Sequence, residues 1–179
     1  EIKRLHHVSG ATTVYVTHDQ VEAMTMSTNI AIMREGVIQQ MASPDIIYHF
    51  PANLFIADFI GNPKVNLLSG YIAGKDSVRV NNMTIPVSTY NHSGDVVLGI
   101  RPEDIEISIE PVEGAIEFQA YSVMPSGAES TIIARKGETE VTIREMGVSK
   151  IQMDQPIWLT FHQDCTNLYD SVSGNLITN

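Results

Sequence analysis

In the stretch "TTVYVTHDQVEAMTM", Thr12 to Met26, the residues Thr17, His18 and Asp19 separate a β-type run from a helical one. An imidazole can donate to an anionic oxygen and changes charge near neutral pH. In layered α/β sheets, ligands bind beyond the carboxyl ends of buried strands. His18 is therefore a candidate phosphate contact, and a turn-forming histidine is the competing reading. Other candidates are weaker. "AGKDS", from Ala73, approaches a phosphate loop, but Asp76 stands where Ser or Thr is needed and Ser69 where the first Gly is needed. It lies between two strand-like runs and reads as a hairpin turn. His6 and His7 sit on a polar helix and read as solvated. Cys165 is the only cysteine, so a thiolate metal cluster is excluded, and the histidines lack the two-histidine helical spacing of zinc sites. No serine sits in a nucleophile elbow. Asn82-Met83-Thr84 and Asn91-His92-Ser93 match the glycosylation pattern and read as chance.

Two kinds of element must position these residues. Up to about Gly61, strand and helix patterns alternate. Glu1 to Ser9 reads as the end of a helix, with Ile2 and Leu5 at helical spacing and Gly10 stopping it. "TTVYV" is β-branched and aromatic, the pattern of a strand buried on both faces. Asp19 can cap the following helix, with Glu22 as its capping-box partner and Val21 and Met24 turned inward. "NIAIM" and "VIQQM" flank a turn at "REG" as a hairpin. Ser43 and Pro44 open a helix with Ile46, Ile47 and Phe50 on its apolar side. "PANLFIADFIG" is a further short helix, opened by Pro51 and closed by Gly61.

After Asn62 the chain reads as short strands and turns. "SVRV" and "MTIPV" flank Asn81-Asn82, and "ESTIIAR" and "TEVTIRE" flank Lys136-Gly137-Glu138, both hairpin patterns. Ile105, Ile107 and Ile109 alternate with acids. Ile116, Phe118 and Ala120 alternate on one run, and Ile157, Leu159 and Phe161 on another. Strands this short, separated by turns, predict a small barrel or sandwich.

The 179 residues are 43% hydrophobic and 18% charged, enough for a sizeable core without disulfides. No apolar run approaches the length of a bilayer span. The net charge of −10 argues against nucleic acid as a partner, because phosphate backbones require clustered Lys and Arg. The acids Glu103, Asp104, Glu106, Glu110, Glu113 and Glu117 crowd one stretch and read as a solvated face. The chain does not open with Met, and a fragment is expected.

"TTVYVTHDQVEAMTMSTNIAIMREGVIQQMASPDIIYHFPANLFIADFIG" resembles the end of the ATPase subunit of an ABC (ATP-binding cassette) importer. "NPKVNLL" resembles the junction to the extra domain of carbohydrate-type importers, the maltose-transporter ATPase family. "GIRPEDI", Gly99 to Ile105, resembles a recurrent motif of that domain, and "NLYDSVSGNLI" its closing strand. The fold implied is α+β: the tail of an α/β nucleotide-binding domain over residues 1–61, then an all-β OB-like (TOBE-type) barrel over 62–179.

In that family the histidine matching His18 contacts the γ-phosphate of ATP. The phosphate loop, glutamine loop, "LSGGQ"-type signature and catalytic glutamate are absent here; "LSGYI" at Leu68 shares only three letters with the signature and sits in the other domain. The resemblance therefore implies a C-terminal portion, with ATP and Mg²⁺ bound only in the intact parent and no cofactor held by this chain. It implies a cytoplasmic subunit peripheral to the membrane that pairs with a second copy of itself and with permease subunits, and that can receive a regulatory protein. Arg101 and Glu103 are candidates for the subunit contact; ordering the turn after a strand is their competing role. An incomplete sheet would leave an open edge at "TTVYV", so that strand is expected to pair with another chain or to be held against the barrel. The alternative function is a stand-alone OB-type module holding an oxyanion or a sugar, which would need convergent amides or cations in the second part.

Overall fold

The computed structural model describes residues 2–88 and 92–177, without the side chain of Leu5. Glu1, Leu5 and Asn91, named above, thus lie wholly or in their side chains outside the described residues. Among the described residues no helix is long and apolar enough to cross a membrane. The chain divides into two units, 1–52 and 53–179.

The first unit contains α1 (Ile2–Ser9), α2 (Gln20–Met26), the strands β1 (Ile30–Arg34) and β2 (Val37–Ala42), and α3 (Pro44–His49). The hairpin forms as its sequence demands: Glu35 and Gly36 both take positive φ, 53° and 80°, the geometry of the tight turns that match strand twist. Ile30, Ile32 and Ile47 are buried, whereas Ile46 and Phe50 are exposed, so α3 buries a narrower face than its pattern predicts. Val21 of α2 is also exposed, against expectation.

Thr12 to Val16 is not a strand. Val14 and Val16 are 88% and 89% exposed, so the segment is neither paired nor covered as expected. Propensity favours the extended form, but a strand exists only through a neighbour's hydrogen bonds, and among the described residues none pairs with it.

The second unit opens with α4 (Leu54–Phe59). Its cap is the Asn53 side chain, which accepts from Ile56 N at 3.0 Å, and not the expected Pro51. There follow β3 (Asn66–Ile72), β4 (Ser77–Val80), β5 (Met83–Pro86), β6 (Asp95–Ile100), β7 (Ile105–Ser108), β8 (Ile116–Pro125), β9 (Glu129–Lys136), β10 (Thr139–Met146), β11 (Pro156–Phe161) and β12 (Thr166–Asp170). They form two antiparallel sheets, ordered β12-β6-β3-β4-β5 and β10-β9-β8-β11-β7.

One core lies between the sheets. Val78, Ile85, Leu98 and Leu168 come from the first sheet, and Ile132, Ile143, Ile157 and Leu159 from the second. Burying each such side chain stabilises by about 1.5–3 kcal/mol. The inward positions alternate along β11 as the sequence predicts, and they alternate along β9 and β10 as well. Phe118 and Ala120 face inward on β8. Ile109 lies beyond the end of β7 and is exposed, so the expected alternation there stops at Ile107. The Asn81 and Gly137 hairpins form as read, each with a positive φ in the turn.

The chain passes from one sheet to the other at the turn Arg101–Asp104, between β6 and β7. The Asn66 side chain bridges the sheets a second time. It donates to Thr142 O at 2.8 Å and accepts from Thr142 N at 2.7 Å. This is the all-β OB-like barrel that the strand rhythm and the resemblance predict.

Candidate functional site: the His18 turn and the Arg101 corner

His18 sits at a bend that leads directly into α2. Asp19 caps that helix: its carboxylate accepts from Val21 N at 2.8 Å and from Glu22 N at 3.1 Å. Glu22 does not complete the capping box. Its carboxylate instead accepts from Thr17 Oγ1 at 2.7 Å and from the Tyr15 hydroxyl at 3.1 Å. Asp19 N in turn donates to Thr17 Oγ1 at 3.0 Å. The hydrogen bond to Glu22, and its charge, raise the Tyr15 phenol above its ordinary value. The turn is thus pinned on both flanks, and the exposed His18 ring stands at its apex. Among the described residues nothing bonds that ring. The composition of the turn pointed to Asp19 as a cap; it gave no sign that Glu22 would hold the approach.

Arg101 and Glu103 lie at the corner between the two sheets but face different partners. Arg101 is buried, at 6% exposure. Its Nη1 donates to Ala57 O in the last turn of α4 and to O of Ile60, the residue that caps the helix. A cation at a helix C-terminus satisfies orphan acceptors and complements the helix dipole. Gly61 makes room for it: a Cβ there would lie 2.8 Å from Arg101 Nη1. Glu103 pairs with Arg144 of β10 at 3.5 Å, and Arg144 also approaches Glu129 at 3.8 Å. Both residues therefore have partners within this chain.

The near phosphate loop is a closed turn. Ala73 N donates to Ser77 O at 2.9 Å and Ser77 Oγ to Ala73 O at 3.0 Å, so the backbone does not open around an anion. Among the described residues no group of His, Cys, Asp and Glu has metal-holding geometry. A shallow depression on the second unit is lined by Glu117, Gln119, Arg135, Lys136 and Asp154. Its cations are engaged. Arg135 stacks over the Tyr121 ring at 3.3 Å and donates to Glu140 at 2.7 Å, and Lys136 donates to Glu117 O at 3.0 Å. That arrangement does not favour a stand-alone oxyanion or sugar site.

Residues 61–105, from Gly61 through the Arg101 corner, match the MalK OB fold domain. Over 190 residues the chain is 37% identical to the xylose/arabinose import ATP-binding protein XacK of Haloferax volcanii, covering 100% of this chain and 49% of XacK. It is 36% identical over 180 residues to an uncharacterized ABC transporter ATP-binding protein, y4oS, of Sinorhizobium fredii, covering 97% of this chain and 47% of that protein. Along nearly its whole length this chain is similar to the ATP-binding subunits of ABC transporters. It corresponds to their C-terminal portion and spans about half the length of the curated relatives it matches. The sn-glycerol-3-phosphate import ATP-binding protein UgpC of Escherichia coli is 32% identical over 182 residues, 99% of this chain and 51% of UgpC. In this chain the Arg101 corner falls at the end of the matched OB-fold segment, and the His18 turn falls in the other unit.

Proposed function

We propose that this chain is the switch-turn and regulatory portion of the ATPase subunit of an ABC importer for sugars or sugar-like solutes, at the cytoplasmic face of the membrane. In the intact subunit, His18 meets the γ-phosphate of ATP. The β unit pairs two subunits and offers a surface to a regulatory protein, while the intact subunit works with transmembrane permeases. Nucleic acid is not a partner, in keeping with the net charge of −10.

The observation that carries this reading is the His18 turn. Its ring is exposed and unengaged, while Asp19 and Glu22 fix the backbone around it. A histidine that only stabilised a turn would spend its nitrogens on that turn. Relatives named for xylose/arabinose and sn-glycerol-3-phosphate import support the solute class. The described residues do not themselves fit ATP or Mg²⁺: the Gly74 turn is closed, and phosphoryl transfer needs a cradle for the β- and γ-phosphates. We therefore assign no hydrolysis to this chain alone.

The test is a chimera in which this chain replaces the matching portion of XacK. The chimera should hydrolyse ATP, His18→Ala should slow it by about 10²-fold, as loss of a transition-state charge contact does, and the chain alone should show no turnover. Protein-dependent turnover by the chain alone, or a His18→Ala chimera as fast as its parent, overturns the assignment. Light scattering of the chain across a concentration range tests the pairing role: a dimer is expected, and a monomer throughout removes subunit pairing from the β unit.

A further inference from the structure

Helix α2 opens with a capping box that does not close directly. At capping-box spacing, the Glu22 carboxylate should reach back to the backbone N–H of the cap residue, Asp19. That N–H is already taken, because it donates to Thr17 Oγ1 at 3.0 Å. Thr17 Oγ1 in turn donates to Glu22 Oε2 at 2.7 Å. The reciprocal bond of the box is therefore relayed through a hydroxyl on the far side of His18.

A hydroxyl has one proton to donate and two lone pairs to accept with. With its proton directed at Glu22, Thr17 Oγ1 offers a lone pair to Asp19 N. Without Glu22 the hydroxyl is free to turn that proton toward the Asp19 N–H. Glu22 also closes the ring from its backbone, since its own N–H donates to Asp19 Oδ1 at 3.1 Å. Thr17, Asp19 and Glu22 thus form a closed circuit of hydrogen bonds. His18 is the residue that the circuit spans, and its exposed side chain takes no part in it. The Tyr15 hydroxyl donates to the same Glu22 oxygen at 3.1 Å and adds a second anchor. Glu22 itself lies in the first turn of α2, so the anchor point belongs to a helix and not to the loop.

We propose that Glu22 is a positioning residue for His18: by accepting from Thr17 it sets the Thr17–Asp19 bond, and with it the direction in which the imidazole leaves the chain. This role rests on the reading of His18 as the γ-phosphate contact. Misplacing a reacting group by about 1 Å can cost about 10²-fold in rate.

Amide exchange in the full chain reads the relay without any activity. Glu22→Ala should speed exchange at Asp19 several-fold and leave Val21, held by Asp19 Oδ1 at 2.8 Å, protected. Glu22→Gln keeps an acceptor and should keep Asp19 slow. In the XacK chimera, Glu22→Ala should lower kcat about tenfold and leave KM for ATP within about twofold. Thr17→Val should match it, while Glu22→Gln and Thr17→Ser should restore most of the rate. In a His18→Ala background, Glu22→Ala should cost nothing further, because it acts only through that ring. A merely structural Glu22 would slow both backgrounds alike. Asp19 exchange that Glu22→Ala leaves unmoved, or equal losses in both backgrounds, overturns the positioning role. A His18→Ala chimera as fast as its parent overturns the reading of His18 itself, and the role of Glu22 in the reaction falls with it even where the exchange result holds.

Discussion

Asn66 and Thr142 lie 76 positions apart in sequence and bond each other twice, so that a side-chain amide imitates one rung of a β-ladder between two sheets. Asn66 also donates to Ile100 O at 3.3 Å. The three bonds occupy both polar atoms of a residue that is 8% exposed. Asn66→Ala would leave the part-buried Thr142 N–H and C=O without their partner, at a cost of about 1–3 kcal/mol. Asn66→Asp would keep the acceptor for Thr142 N but turn a second oxygen toward Thr142 O. Both variants should lower the urea midpoint, and Asn66→Asp should not rescue. A midpoint unchanged in Asn66→Ala would show that the bridge contributes nothing to closing the barrel.

The Arg101–Gly61 pair makes a second prediction. The guanidinium terminates α4 from inside the β unit, and Gly61, at φ 113°, passes it without a side chain. Arg101→Ala should destabilise the chain by about 1–3 kcal/mol, since helix carbonyls lose a buried donor. Arg101→Lys should recover only part, because an ammonium lacks the planar fork. Gly61→Ala should also destabilise, through both the backbone conformation and the clash. Equal stability of the Lys variant and the parent, by urea denaturation, would mean that charge alone suffices at this position.

These two relationships mark where the sequence stopped being legible. The hairpins at Glu35-Gly36 and Asn81-Asn82 could be read because a positive φ leaves a local compositional trace. The inward faces of β8 and β11 could be read because alternation is local too. Asn66 and Arg101 could not be assigned their partners, since those lie 76 and 41 positions away. "TTVYV" failed for the opposite reason: its β pattern is real, but a pattern does not supply the neighbouring strand. The His18 turn was legible in its cap and illegible in its brace. Glu22 stands at capping-box spacing yet turns to the Thr17 and Tyr15 hydroxyls instead.

Cys165 should be a slow thiol although it is exposed. Partial burial raises its pKa first, and the charges of Asp104, Asp164 and Glu106 raise it further. The thiolate is the nucleophile, so alkylation at mildly alkaline pH should run several-fold slower than for an unperturbed thiol. Asp164→Asn should accelerate it, and so should added salt, which screens the carboxylates. Alkylation at the unperturbed rate, insensitive to salt, would contradict the electrostatic account.

Acid should weaken the loop that anchors α4. Asp170 accepts from Ser173 N and from Ser173 Oγ, each at 2.7 Å, and these bonds hold its carboxyl below the ordinary value of about 3.9. His92, at 3.8 Å, adds a smaller effect in the same direction. A group whose folded pKa is depressed contributes stability above its unfolded pKa and loses it as pH falls through the folded value. The affected loop supplies Gly174 O to Leu54 N, so its loosening reaches the start of α4. Urea midpoints measured from neutrality down through the carboxylate range should fall with pH. Asp170→Asn should remove this residue's share of the slope. Ser173→Ala should remove only part of it, because the backbone N–H, the stronger of the two donors, remains. An identical pH slope in the parent and in Asp170→Asn would show that the loop does not sense acid through this carboxylate.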